Sequence, residues 1–161
     1  MIERVISGGQ TGVDQAAWRA ARAAGIATGG WMPRGFATET GPRPEFAALY
    51  GAVEHASADY AERTIANVRS ADGTLVFAGD RPGPGTALTI AACHEAGVPI
   101  LVLHPDRLSG DAAPEHVAAW IAAHGLRTLN VAGERESTMP GLGARIEAYL
   151  LRLFRLINRG N

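Results

Sequence analysis

Lysine is missing altogether: all 15 basic residues of this 161-residue chain are arginine. Every mechanism that needs a side-chain amine is therefore closed to it, from Schiff-base catalysis to a phosphate-loop or kinase lysine. Arginine suits bidentate capture of oxyanions, although in so Ala-rich a chain the arginines equally fit a bias in codon usage. Cysteine occurs once, at Cys93, so an internal disulfide and any multi-cysteine zinc or iron–sulfur site are excluded. Its place in Ala92-Cys93-His94 reads as a buried, inert thiol in mid-helix. The histidines (His55, His94, His104, His116, His124) form no His-Glu-x-x-His and no i, i+4 pair, so no structural metal is expected. A Gly-x-Ser-x-Gly elbow is absent too, which leaves serine-hydrolase chemistry of that type unsupported. No apolar run approaches 18 residues, and Met1-Ile2-Glu3-Arg4 shows neither a basic leader nor a cleavage site. A cytoplasmic protein without a membrane partner is expected.

Charge of one sign is lacking as well. The 15 basic residues are offset by 16 acidic ones, leaving net −1 and no field to attract nucleic acid. What is present is 47% apolar and 19% charged residues, an ordinary globular composition, and the length corresponds to one domain over residues 1–161.

Apolar runs at Val5-Ile6, Ile26 to Gly30, Thr74 to Phe77, Pro99 to Leu103 and Arg127 to Val131 read as strands. Helical stretches lie between them: an Ala-rich one ending at Gly25, Tyr60 to Ser70, one running to Ala96 with Gly97 as its stop, and Pro114 to His124. A last helix runs from Gly143 to Ile157, and Trp31 to about Ala58 reads as mostly irregular. Continuous apolar strands alternating with helices predict an α/β fold: a Rossmann-like, mainly parallel sheet of about five or more strands, covered on both faces. The last helix is apolar over more than one stripe (Tyr149, Leu150, Leu151, Leu153, Phe154, Leu156, Ile157), which suits either core packing or the interface of a homodimer or homotetramer.

Two loops between a strand and an Ala-rich helix repeat one chemistry, Gly8-Gly9-Gln10-Thr11-Gly12 and Gly83-Pro84-Gly85-Thr86. Glycine lets such a loop expose consecutive N–H groups toward a helix N-terminus, an anion seat at the carboxyl end of the sheet. Two seats point to one extended anionic ligand, while tight turns alone also explain the glycines. A nicotinamide dinucleotide is disfavoured, because Ser7 replaces the first glycine of its fingerprint and no carboxylate closes the second strand. Around these loops, Arg34 is a potential phosphate partner or a solvated arginine, and Trp31 a ring platform or a core cover. Thr11 and Asp14 are capping residues or ligand contacts. Arg63 and Asn67 share a helix face, and Asn130 and Arg135 follow the fifth strand, where Arg135 either meets an anion or pairs with Glu134 or Glu136.

Taken in order, Ser7 to Ala17, Gly29-Gly30-Trp31-Met32-Pro33-Arg34-Gly35, Asp59 to Thr64 with Asn67-Val68-Arg69, Asp72-Gly73-Thr74-Leu75, Gly85 to Thr89 and Asn130 to Gly133 form a series. This series resembles the molybdenum-cofactor carrier family, over about residues 4 to 150. That family is a circularly permuted YpsA-type branch of the SLOG or LOG (lysine decarboxylase-like) superfamily. The resemblance implies a Rossmann-like fold, an oligomer, and molybdenum cofactor or molybdate as bound ligand, held by Gly8, Gly9, Gln10, Thr11, Gly12, Asp14, Arg34, Arg63, Gly83, Gly85, Thr86, Asn130 and Arg135. The related cytokinin-activating phosphoribohydrolases carry Pro-Gly-Gly-x-Gly-Thr-x-x-Glu, similar to Pro82 to Thr89 here but one residue longer. Their catalytic Glu falls on Thr89 and the Lys of their Arg-Lys pair on Thr64, so binding is favoured over N-glycosidic cleavage. A hydrolase using Asp14 or Glu62 as its acid, or a nucleotide-sensing module, is the alternative.

Overall fold

The structure, a computed structural model, describes residues 1–159. Gly160 and Asn161, the last two positions of the span expected to form one domain, lie outside the described residues. Six strands form one all-parallel sheet in the order β3-β2-β1-β6-β4-β5. They are β1 (Arg4–Ile6), β2 (Ala27–Met32), β3 (Ala52–Glu54), β4 (Gly73–Phe77), β5 (Ile100–Leu103) and β6 (Thr128–Gly133). The helices are α1 (Val13–Ala23), α2 (Phe46–Tyr50), α3 (Tyr60–Arg69), α4 (Pro84–Ala96), α5 (Pro114–Ala123) and α6 (Leu142–Arg159). This is a Rossmann-like α/β fold. Among the described residues no helix is long and apolar enough to cross a membrane.

Alternation along the strands divides the interior between two faces. Val5, Leu75, Phe77, Leu129 and Val131 meet α1, α5 and α6 in the main core, together with Ala16, Ala20, Ile121, Ile146, Leu150, Leu153 and Phe154. On the other face α3 and α4 bring Val68, Ala92 and Cys93 to the sheet, and there the strands present Thr74 and Asn130, which pair with one another at 3.3 Å. Burial raises the Cys93 thiol above its ordinary value, with the Thr74 hydroxyl opposing, so it stays a thiol. A satellite core forms where Trp18 stacks on Tyr50 at 4.9 Å and meets Phe46 edge-on, its indole N–H donating to the Gly29 carbonyl at 2.8 Å. Gly25 and Gly97 end their helices with φ of 75° and 66°, in the left-handed region that glycine enters without strain.

Two expectations gain detail. The stretch 31–58 is irregular over a little more than half its length, as expected, but β2 runs on to Met32, and α2 and β3 follow, adding the edge strand registered as Gly30 to Ala52 and Met32 to Glu54. Three residues with a single β-branched side chain carry too short a pattern to be read as a strand. The apolar excess of α6 is interior: Leu150, Leu153 and Phe154 are fully buried, Leu151 and Ile157 pack against the same core, and Leu156 alone of that set stands exposed. Helix α6 lies between α1 and α5, so two of its sides need apolar cover.

Candidate functional site

Chain order places the site. The first strands wind outward one way (β1, β2, β3), β4 and β5 lie on the other side, and β6 enters last between β1 and β4. The reversal leaves a crevice at the carboxyl ends of β1, β6 and β4, the position where open parallel sheets hold ligands. The two glycine loops are thus separated by a third loop, 134–138, and α3 brings its first turn to the same place. Between them lies a cavity of about 510 Å³.

Of the expected residues, Gln10, Asp14, Arg63, Gly83, Gly85, Thr86 and Arg135 line this cavity. Gly8 lies beneath them and explains why the first loop needs glycine: a Cβ there would stand 1.5 Å from the Arg63 guanidinium and 2.9 Å from Asp14. The guanidinium rests against bare backbone, with Arg63 Nη1 at 3.7 Å from Asp14 Oδ2. Asp14 also accepts the Gln10 backbone N–H at 3.2 Å. Burial raises its carboxyl above the ordinary range, while Arg63, the Gln10 N–H, Ser7 and Arg135 pull it back. Burial lowers Arg63 from its ordinary value, Asp14 opposing and Arg135 adding to the effect, yet a guanidinium stays cationic.

The Tyr60 ring, which the sequence reading passed over, organises the cations. The Arg63 guanidinium carbon lies 5.7 Å from its centroid and that of Arg135 5.4 Å, so two like charges share one π face system. Arg135 pairs with neither Glu134 nor Glu136 but approaches Glu39 at 4.0 Å. Burial of Glu39 acts to raise its carboxyl, and hydrogen bonds from Ser137 and Thr11 outweigh it, leaving the group below the ordinary range. Arg63 Nε and Gln10 Nε2 are buried without a hydrogen-bond partner. Buried donors are paired in most folded proteins, so the cationic end of the cavity has hydrogen-bonding capacity that the protein does not consume.

The remaining expected residues stand apart. Thr11 and Gly12 line a neighbouring hollow of about 550 Å³ with Glu39 and Ser137. Neither Thr11 nor Asp14 caps α1: Gly12 is the cap residue, at φ 78°, with no side-chain cap bond, and the Thr11 hydroxyl is engaged by Glu39 and by the Glu136 N–H at 3.3 Å. Gly9 turns against Met32, where a Cβ would stand 2.6 Å from its methyl carbon. Arg34 is exposed in the turn after β2 and does not reach the cavity, and Asn130 lies buried in the sheet. Asn67 serves the fold, its amide spanning the Trp31 backbone N–H at 2.8 Å and C=O at 2.9 Å. Trp31 and Glu62 line a separate shallow hollow, with Trp31 edge-on to His55. Thr89, the position of the hydrolase acid, donates its hydroxyl back to the Gly85 carbonyl at 3.0 Å.

Besides Tyr60, the sequence reading missed Glu134 as a cavity residue. It is 5% exposed, and its Oε1 accepts the Gly83 N–H at 3.0 Å, joining the β6 loop to the second glycine loop. No spacing rule links residues 51 apart. Among the described residues no group of three or more His, Cys, Asp or Glu side chains is placed to hold a metal ion.

A parallel sheet with helices on both faces and an arginine-lined cavity at its switch point places the chain in the Rossmann-like α/β class. Within that class the chain belongs to the circularly permutated YpsA SLOG family, whose sequence profile matches residues 5–154. In this chain β6 is supplied from the far end of the sequence to the centre of the sheet. Among solved structures it is similar to a protein from Syntrophus aciditrophicus SB described as "Putative molybdenum carrier protein", at 36% identity and a TM-score of 0.85, over 95% of this chain and 94% of that one. No curated protein matches the sequence.

Proposed function

We propose that this chain is a single ligand-binding domain that carries an anionic small molecule, molybdenum cofactor or molybdate, in the cavity between its glycine loops. The observation that carries the reading is the pair of guanidinium groups, Arg63 and Arg135, gathered on Tyr60 with one buried carboxylate, Asp14, beside Arg63. An oxyanion would take the N–H bonds of Arg63 Nε and Gln10 Nε2 that no protein group takes. The residues fit that end of such a ligand: the arginines would hold its oxygens and the Gly83 to Thr86 turn would flank it. Similarity to the Syntrophus protein, by its description a molybdenum carrier, supports the same reading. Calorimetric titration of the wild-type protein with molybdate and with AMP tests it, and absence of binding to both would remove its physical basis.

Hydrolysis is not part of the proposal. Thr89 offers no carboxylate, Glu62 lies outside the cavity, and Asp14 is bound to Arg63 and to the Gln10 N–H. Incubation with AMP is expected to release no adenine above a protein-free control. Release that disappears in a Gly85 variant would establish the enzyme reading instead.

Self-association as a dimer or tetramer completes the proposal. Since α6 spends its apolar residues on the core, the interface must use other surface, such as the edge of β5, where Val102 is 44% exposed. Light scattering at micromolar concentration is expected to report more than one chain per particle, and a monodisperse monomer would refute it.

A further inference from the structure

Residues 36–43 form a strap between β2 and α2. Its base is closed by the Arg43 N–H, which donates to the Phe36 carbonyl at 2.9 Å, and its tip by reciprocal backbone bonds between Thr38 and Gly41, both 3.1 Å, with Gly41 at φ 106°. Among the described residues Phe36 is the one non-glycine residue with positive φ, at 52°, a conformation that persists only where the surroundings enforce it. Here its ring packs against the satellite core around Trp18. The strap is thus held in shape at both ends, and its tip carries Glu39 between the first glycine loop and the 134–138 loop. The Glu39 backbone N–H donates to Gln10 Oε1 at 3.1 Å, and its carboxylate accepts the Ser137 hydroxyl at 2.5 Å, the Ser137 N–H at 3.4 Å and the Thr11 hydroxyl. These donors are neutral, so they anchor the carboxylate, only 17% exposed, without cancelling its charge.

Among the described residues the one cation within 4.0 Å of that carboxylate is Arg135, whose Nη1 stands at 4.0 Å. This exceeds hydrogen-bond reach, so Glu39 does not aim the guanidinium. What crosses the gap is charge, which falls off only inversely with distance. Arg135 lines the cavity while Glu39 lines the hollow behind it, so an oxyanion drawn to Arg135 meets a fixed negative charge on the far side. We infer that Glu39 is a specificity-determining residue: an anchored carboxylate that partly cancels Arg135 and ranks oxyanions of one shape by their charge, penalising dianions more than monoanions. Paired guanidinium groups left uncompensated would hold any dianion by charge alone, inorganic phosphate and sulfate included. With Glu39 in place more of the discrimination passes to hydrogen-bond fit, to which the unpartnered Gln10 Nε2 contributes, its amide being held by the Glu39 N–H. The inference rests on the anion-carrying reading above and adds to it the basis on which the site sorts its ligands.

Molybdate and perrhenate are tetrahedral oxyanions of closely similar size, one a dianion and the other a monoanion, so calorimetry on the full chain with both reads charge while shape is held constant. Glu39→Gln keeps the length of the side chain and a carbonyl acceptor and removes the charge. It is expected to tighten perrhenate binding about two- to fivefold, the range for one partly exposed charge pair, and molybdate binding by about the square of that factor, roughly 4- to 25-fold, because a Coulomb energy doubles with the charge of the ligand. A structural disturbance would weaken both anions by a common factor. Molybdate binding that is unchanged or weaker in a folded Glu39→Gln protein therefore overturns the inference, as do equal factors for the two anions. Glu39→Ala drops the hydrogen bonds together with the charge and should shift the molybdate-to-perrhenate ratio by the same amount; melting curves identify the folded variants, and an unshifted ratio in either one overturns the inference as well. If wild type binds molybdate and the ratio does not shift, the charge-sorting role alone falls. If neither wild type nor variant binds molybdate, perrhenate or AMP, the anion-carrying reading falls with it.

Discussion

Arg63→Ala is expected to weaken molybdate or AMP binding by about 10- to 150-fold, the scale of one charged hydrogen bond, and to destabilise the fold at the same time. A loop arginine would lose only its ligand. Arg63 instead is nearly buried, its side chain 12% exposed, and its charge is the main attraction opposing the burial of Asp14. Removing one partner of a buried pair leaves the other uncompensated, at a cost of about 2 to 4 kcal/mol where an open cavity relieves part of it. The pH dependence has a definite sign. The Asp14 carboxyl is raised in the fold above its ordinary value, so its ionisation opposes folding, with the penalty growing as pH rises above that ordinary value through its folded pKa. Without Arg63 that folded pKa moves higher still. The melting difference between wild type and Arg63→Ala should therefore be small near about pH 4 and largest at neutral pH, and adding Asp14→Asn should recover most of it. A variant that melts like wild type at neutral pH would show that the pair does not stabilise the loop.

Leu153→Glu is expected to abolish cooperative folding. Leu153 is fully buried on α6, in the core shared with α1, α5 and the sheet. Truncation to Ala at such a site costs about 2 to 5 kcal/mol, and a carboxylate without a partner adds its desolvation, which together consume most of the roughly 5 to 15 kcal/mol by which a domain is stable. Circular dichroism and urea titration check this. Leu156→Glu, one turn's fraction away but 40% exposed, should melt within a few degrees of wild type. A folded Leu153→Glu protein that sediments as a smaller particle would place Leu153 at a subunit interface and contradict the packing.

Local chemistry announces itself in sequence, and contacts between distant segments do not. The glycine loop at 8–12, the alternation of strand and helix, and the Ala-rich faces of α1 and α4 all follow from neighbouring residues, because backbone freedom and helical periodicity act within about one or two turns. The arginine at position 63 stood out for its helix face, yet its role depends on lying against Gly8, 55 positions earlier in sequence order (63 minus 8). Tyr60 and Glu134 gave no signal: one opens a helix after an irregular stretch and the other sits in a charged run that reads as solvated loop. Conversely, Arg34 and Thr11 looked exposed and polar enough to serve a ligand, and the fold turns both away from the cavity.

By itself the sequence determined the class of fold, the absence of amine and disulfide chemistry, and the helix stops at Gly25 and Gly97, since each depends on composition or on a few adjacent dihedral angles. Tertiary structure alone decided where β6 enters the sheet, which set the 134–138 loop between the two glycine loops and turned two separate turns into the walls of one cavity. It also decided that Arg63 and Arg135 share Tyr60 and that Glu134 bonds Gly83. These pairings are long-range, and their energies arise from burial and from charges held a few ångströms apart, quantities that exist only once the chain has closed on itself.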